Sequence, residues 1–274
     1  MRFALCHELF ADPIAADTFQ LIRDIGYTGV ELAPFTLLPG HEPFDIRDVP
    51  PETLGQVRRR AEDAGLEVIG MHWLLAKTAG LYLTSPDPEV QRETTAYFAA
   101  LINCCAELGG TIMVLGSPQQ RNLLPGVTYD EAEAHAAAVL TAVMPRCERL
   151  GVTIALEPLA PSEGDFLNSA ESGIRLARRI DSPNCKLHLD VKAMSSEGTP
   201  IPEIISASQD WMVHFHANDS NLLGPGMGEI EFPPIMQKLK EIQYDGWVSV
   251  EVFIYEPSPE AIARTSFQNL QAWA

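Results

Sequence analysis

The feature that most limits what this chain can fold into is an alternation that runs its whole length. Eight short, β-rich apolar runs are separated by longer amphipathic stretches. The runs are Phe3–His7, Gly29–Ala33, Glu67–Met71, Thr111–Leu115, Thr153–Glu157, Lys186–Asp190, Met212–His216 and Trp247–Glu251. Helical patterns between them include Pro51–Ala64, Glu89–Leu108, Tyr129–Leu150, Ala170–Ile180, Pro233–Glu241 and Pro259–Ala272. Strands that alternate with helices build βαβ units around a parallel sheet. Eight such units in 274 residues are the content of one (β/α)8 barrel, for which about 250 residues is typical. The expected fold is therefore an α/β TIM barrel occupying residues 1–274 as a single domain.

Punctuation agrees with the count. Gly65, Gly109, Gly110 and Gly151 stand between a helical pattern and the next strand, where glycine suits the left-handed residue that ends a helix. Segments that follow strands are longer and richer in polar residues, as in HWLLAKTAGLYLTSPDP and ANDSNLLGPGMGEIEF. In a barrel these loops crown the C-terminal face, where active sites form. GPGMG, residues 224–228, lacks the Lys-Ser or Lys-Thr end of a phosphate-binding loop and reads as a close backbone turn.

Charge narrows the partners. Nineteen Lys and Arg against 37 Asp and Glu give a formal net charge of −18. Such a field repels phosphate backbones and anionic lipid, so nucleic acid and membrane are not expected partners. No apolar stretch is long enough to span a bilayer, and MRFALCHELF reads as a first strand rather than a leader, so a cytoplasmic protein is expected. Cys6, Cys104, Cys105, Cys147 and Cys185 have no CxxC spacing and are read as reduced core thiols.

Four strands finish on a residue type that binds metal: IALE at Glu157, LHLD at Asp190, VHFH at His216 and VSVE at Glu251. At one edge of one barrel these side chains would converge. Three carboxylates and one imidazole suit a hard to borderline divalent ion, Mn2+ first, with Co2+, Mg2+ or Zn2+ as alternatives. Strand alternation puts His188 and His214 on the same face as the ligand types that follow them. His7, Glu31, His72 and Trp73 lie at or near the ends of the first three strands, and Arg121 follows the fourth. Together with Glu163 and Lys192, these residues are expected to contact substrate.

The chain resembles the xylose-isomerase-like sugar isomerases and epimerases, and most closely the pattern of the ketose 3-epimerases. The resemblance is carried by GVTIALEPL, HLDVKAM, HFHANDSNLLGPGMGE and GWVSVEVF, with 33, 26 and 35 residues separating the four proposed ligands. It implies a keto-sugar substrate, a homodimer or homotetramer, and a double role for Glu157 and Glu251 as ligands and proton-transfer bases acting through an enediolate. Glu163 matches a family carboxylate that meets substrate hydroxyls. Two positions depart: Ala193 stands where the family has histidine, and Leu222 where it has arginine. A lyase or dehydratase, eliminating from a 3-keto-glycoside or inosose, would use the same site. An abasic-site endonuclease-like phosphodiesterase would need further histidine ligands and a basic face. A non-catalytic barrel would hold metal without turnover.

Overall fold

The eight strands close into a parallel barrel in sequence order, with β1 (Arg2–Cys6) pairing both β2 (Gly29–Leu32) and β8 (Trp247–Val250). The others are β3 (Glu67–Met71), β4 (Ile112–Leu115), β5 (Thr153–Leu156), β6 (Cys185–Asp190) and β7 (Met212–Ala217). This is a computed structural model describing residues 1–274. Around the barrel lie α1 (Ala16–Ile25), α2 (Pro51–Ala64), α3 (Pro88–Glu107), α4 (Tyr129–Leu150), α5 (Ala170–Ile180), α6 (Val191–Met194), α7 (Ile201–Ser208), α8 (Phe232–Glu241) and α9 (Pro259–Trp273).

Local chemistry accounts for the helix ends. Thr128 and Glu131 form a reciprocal capping box at the start of α4. Gly65 and Gly151 take left-handed φ of 75° and 67° and end α2 and α4. The long apolar faces of the helices meet the outer faces of the strands in one continuous core of 68 buried hydrophobic residues. All five cysteines are free and buried. No helix is long and apolar enough to cross a membrane.

β3, β4 and β6 end where the sequence reading puts them; β1, β2, β5, β7 and β8 differ by one residue, and the shift matters. β1 stops at Cys6 and His7 opens a short 3-10 turn, while Glu157 and Glu251 are the first residues beyond β5 and β8. At the strand exits both carboxylates stand over the barrel mouth, and the Glu157 backbone is still held there by its N–H on the Leu115 carbonyl at 3.2 Å. Helices α1, α6 and α7 were not among the named helical stretches; α6 and α7 are only four and eight residues, too short to repeat an amphipathic pattern.

Inside the barrel, side chains stack in layers because alternate strand residues face inward. Trp247, Ile69 and Ala4 fill the lowest layer. Gly29 leaves room for the indole: a Cβ there would lie 2.7 Å from Trp247. Above them the interior turns polar, with Cys6, Glu31, His188, His214 and Ser249 all buried, and the aliphatic filling usual for such barrels gives way. This polar column leads to the C-terminal mouth.

Candidate active site

Pairing across β6 and β7 places Asp190 beside His216 and His188 beside His214. The sequence pattern HLD and HFH therefore becomes a two-by-two block of side chains, one layer above the other. His216 Nδ1 lies 3.2 Å from Glu251 Oε2. Ligand atoms of Glu157, His188, Asp190 and His216 all lie within 4.8 Å of one another. The four residues picked from strand ends thus converge, and His188 joins them from below, 3.8 Å from Glu157 Oε1 with neither ring nitrogen hydrogen-bonded.

Their surroundings hold them in place. Asp190 accepts from the Ala193 backbone N–H at 2.7 Å and from Asn218 Nδ2 at 2.6 Å. The Trp73 indole N–H donates to Glu251 Oε1 at 2.9 Å. Arg121 is buried and donates from one Nη to the carbonyls of Leu115 and Glu157, at 3.0 and 2.7 Å. It therefore fixes the backbone that carries Glu157. Leu115 pairs with Leu156, so Gly116 runs beside Glu157, and a Cβ at Gly116 would stand 1.7 Å from Glu157 Oε2.

That close approach makes a prediction. Gly116→Ala should leave the barrel folded, because a flexible carboxylate can swing aside, but should lower kcat/KM by ~100-fold through misplacement of Glu157. Comparing kcat/KM with the thermal midpoint checks it; normal activity would remove Glu157 from the reacting geometry.

Electrostatics favour a cation. Burial, then Glu251 and Asp190, push the Glu157 carboxyl up to about 8. Burial and then Glu251 push Asp190 up to about 6. Burial opposes charge on His216, but Glu31 and Glu251 outweigh it and hold the imidazole well above its usual range. Carboxyls that resist ionisation because they are buried and lie near one another are the groups a divalent ion would neutralise. The cluster fits a metal: it offers hard oxygen donors, an imidazole aimed at a carboxylate, and charge repulsion that only a cation or protons relieve.

A cavity of about 370 Å3 opens above the cluster, with Glu157 and Glu251 at its base. Trp73, Glu163 and Lys192 line it. Lys192 Nζ donates to Glu163 Oε1 at 2.7 Å and sits 4.4 Å from the centre of the Phe253 ring. Trp73, at a left-handed φ of 53°, is sandwiched between Phe35 and Phe253 with ring centroids 5.8 and 6.0 Å away. One wall of the cavity is thus a stack of three aromatic rings.

The other residues expected at the substrate sit beneath the surface instead. His7 is buried with Nε2 2.9 Å from Thr36 Oγ1, and His72 is buried with Nε2 3.1 Å from Glu8 Oε2. Glu31, His188 and His214 belong to the barrel interior, and Arg121 is buried with one Nη on two carbonyls and the other without a hydrogen-bond partner. The Ala193 side chain is buried, and Leu222 lies outside the cavity lining. Sequence reading missed Gly116, Asn218 and Glu8. Asn218 was within reach, because it continues the inward alternation of His214 and His216.

Residues 19–273 match the family described as xylose isomerase-like TIM barrel. The chain belongs to that family. Among its relatives, a D-psicose 3-epimerase of Enterocloster bolteae is 28% identical over 215 residues, covering 77% of this chain and 70% of the relative. A putative hydroxypyruvate isomerase of Streptomyces coelicolor is 26% identical over 265 residues, 91% of this chain and 88% of the relative. Two crystal structures share the xylose isomerase-like fold at a TM-score of 0.84. One is a D-psicose 3-epimerase in the presence of D-fructose, 18% identical, covering 100% of this chain and 98% of that one. The other is the 3-keto-D-glucoside 4-epimerase of E. coli, 19% identical, covering 99% of each.

Proposed function

We propose that this protein is a divalent-metal-dependent sugar isomerase or epimerase that moves a proton beside a carbonyl, on a ketose or related keto-sugar. One observation carries the reading: Glu157 and Glu251 form the base of a sugar-sized cavity, each one residue past its strand, with Asp190 and His216 buried between them. The relatives called D-psicose 3-epimerase and hydroxypyruvate isomerase support it.

In this reading Glu157, Asp190, His216 and Glu251 hold the ion, with Mn2+ first and Co2+, Mg2+ or Zn2+ as alternatives. A bound divalent ion supplies a Lewis acid that acidifies the carbon between a carbonyl and its neighbouring hydroxyl. Glu157 and Glu251 approach that carbon from β5 and β8, one taking its proton and the other returning one. Return to the opposite face epimerises the centre; return to the adjacent carbon isomerises it. The wall of Phe35, Trp73 and Phe253 covers an apolar sugar face and keeps water from the enediolate. Glu163 and Lys192 meet hydroxyls further out.

A second reading is favoured by Ala193 and Leu222, which bring no hydrogen-bonding side chain to positions where the family contacts its ketose. A substrate with a leaving group β to the carbonyl would then be eliminated by the same proton abstraction. Metal-reconstituted protein incubated in D2O with ketoses, 3-keto-glycosides and inososes, followed by NMR, separates the two. Deuterium at a carbon beside the carbonyl with no bond broken supports isomerisation or epimerisation, a released aglycone or water-loss product supports elimination, and neither would overturn both.

Proton release tests the electrostatics of the site independently of substrate. At pH 7 a Glu157 carboxyl near pKa 8 carries its proton, and His216 is an imidazolium. Ligation requires the carboxylate and a bare Nδ1, so Mn2+ uptake at pH 7 should release roughly two protons. Protons compete with the ion, so apparent affinity should rise as pH increases through 8. Titrating Mn2+ calorimetrically in buffers of different ionisation enthalpy counts the protons; none released would overturn the reading of a protonated Glu157 and an imidazolium His216 before the ion binds.

A further inference from the structure

We infer that Glu31 is a positioning residue for the metal centre: from the layer beneath, its carboxylate holds the His216 ring by Nε2 and so aims Nδ1 at the ion. The inference rests on the reading of His216 as a ligand. Glu31 is fully buried and absent from the cavity lining, so it touches neither solvent nor substrate. Its Oε2 lies 2.8 Å from His214 Nε2 and 3.1 Å from His216 Nε2. An ionised carboxylate only accepts, so both rings present an N–H on Nε2 to the same oxygen. For His216 this leaves Nδ1 on the side of Glu251, 3.2 Å away, where the ion would bind.

The reach of the interaction points to a purpose. Glu31 comes from β2 and the two histidines from β7, so the carboxylate crosses the barrel interior to bind them. Buried anions are costly unless paired and hydrogen-bonded, and the opposite barrel wall is an expensive place to seek partners when a hydrophobic residue would fill the layer. His214 braces the arrangement rather than touching the ligand residues by hydrogen bond: its Nε2 goes to Glu31, and its Nδ1 has no partner. Carboxylates that receive the second N–H of a ligating histidine fix its tautomer and ring angle, and their loss typically weakens metal binding by ~10–100-fold.

The test measures Mn2+ binding by the EPR signal of the free aqueous ion, and the visible spectrum of the Co2+-loaded protein, without any substrate. Glu31→Leu should weaken Mn2+ by ~10–100-fold and alter the Co2+ spectrum. Glu31→Gln, which keeps an acceptor oxygen but not the charge, should fall between, at roughly threefold to tenfold, and recover most of the spectrum. His216→Ala is the control for the ligand set. If His216→Ala loses Mn2+ while Glu31→Gln binds within twofold of wild type with an unchanged Co2+ spectrum, the positioning role is overturned. If His216→Ala binds Mn2+ as wild type does, His216 is no ligand, and the inference falls with that reading. Should Glu31→Leu fail to fold, Glu31→Gln, an isostere in the same cavity, decides alone.

Discussion

Glu157→Gln and Glu251→Gln are each expected to lower kcat/KM for the keto-sugar substrate by ~1,000-fold or more while leaving the barrel folded. Glutamine keeps the shape of glutamate but can neither take a proton nor contribute negative charge to an ion. General-base catalysis by one positioned group is worth ~100-fold to 10,000-fold, and loss of a ligand charge adds to that. Both side chains sit at the cavity base, beyond the ends of β5 and β8, and glutamine keeps an oxygen that can accept from the Trp73 indole at Glu251. Circular dichroism and the thermal midpoint would show whether the fold is kept. Near-normal turnover in either variant would sink the two-base reading. Solvent exchange can refine it: a variant that still exchanges substrate hydrogen with D2O but no longer forms product has kept one base and lost the other.

Removal of the divalent ion should have an effect of comparable size. Dialysis against a chelator is expected to take activity to background, and Mn2+ or Co2+ to restore it. Without a cation, burial and then repulsion by Glu251 and Asp190 raise the Glu157 carboxyl to about 8, and burial and then Glu251 raise Asp190 to about 6. A bound ion removes that repulsion and should stabilise the fold. At an ion concentration of about 100 times Kd the linkage is worth ~2.7 kcal/mol, which for a chain of this size raises the melting point by about 5 °C. A freshly purified protein with no divalent metal by elemental analysis, and no melting shift on adding Mn2+ or Co2+, would count decisively against the centre.

Much of this was legible in the chain because barrels write their architecture locally. Each strand is a short run of apolar residues, each helix an amphipathic repeat, and the order in sequence is the order around the barrel. Glu157, Asp190, His216 and Glu251 could be picked as a group for the same reason: every parallel strand ends at the same rim, so residues far apart in sequence share a layer. The period of two placed His188 and His214 beneath Asp190 and His216. Glycines at 65 and 151 marked helix ends, and both take the left-handed φ that such ends require.

What the sequence alone could not decide was direction and depth. Glu31, His72 and Arg121 are polar residues near strand ends, and polarity near a rim suggests a substrate contact. Tertiary packing turned each of them inward, Glu31 to two histidines across the barrel, His72 towards Glu8, and Arg121 to the carbonyls of Leu115 and Glu157. A side chain's partners are set by neighbours from other strands, which no local pattern records. The same holds for Gly116, whose missing side chain becomes meaningful only because Glu157 from the next strand occupies the space. Sequence periodicity thus determined which residues share a layer and a rim; only the closed barrel, by setting β2 across the interior from β7 and β4 beside β5, decided which of them line the cavity and which lie beneath it.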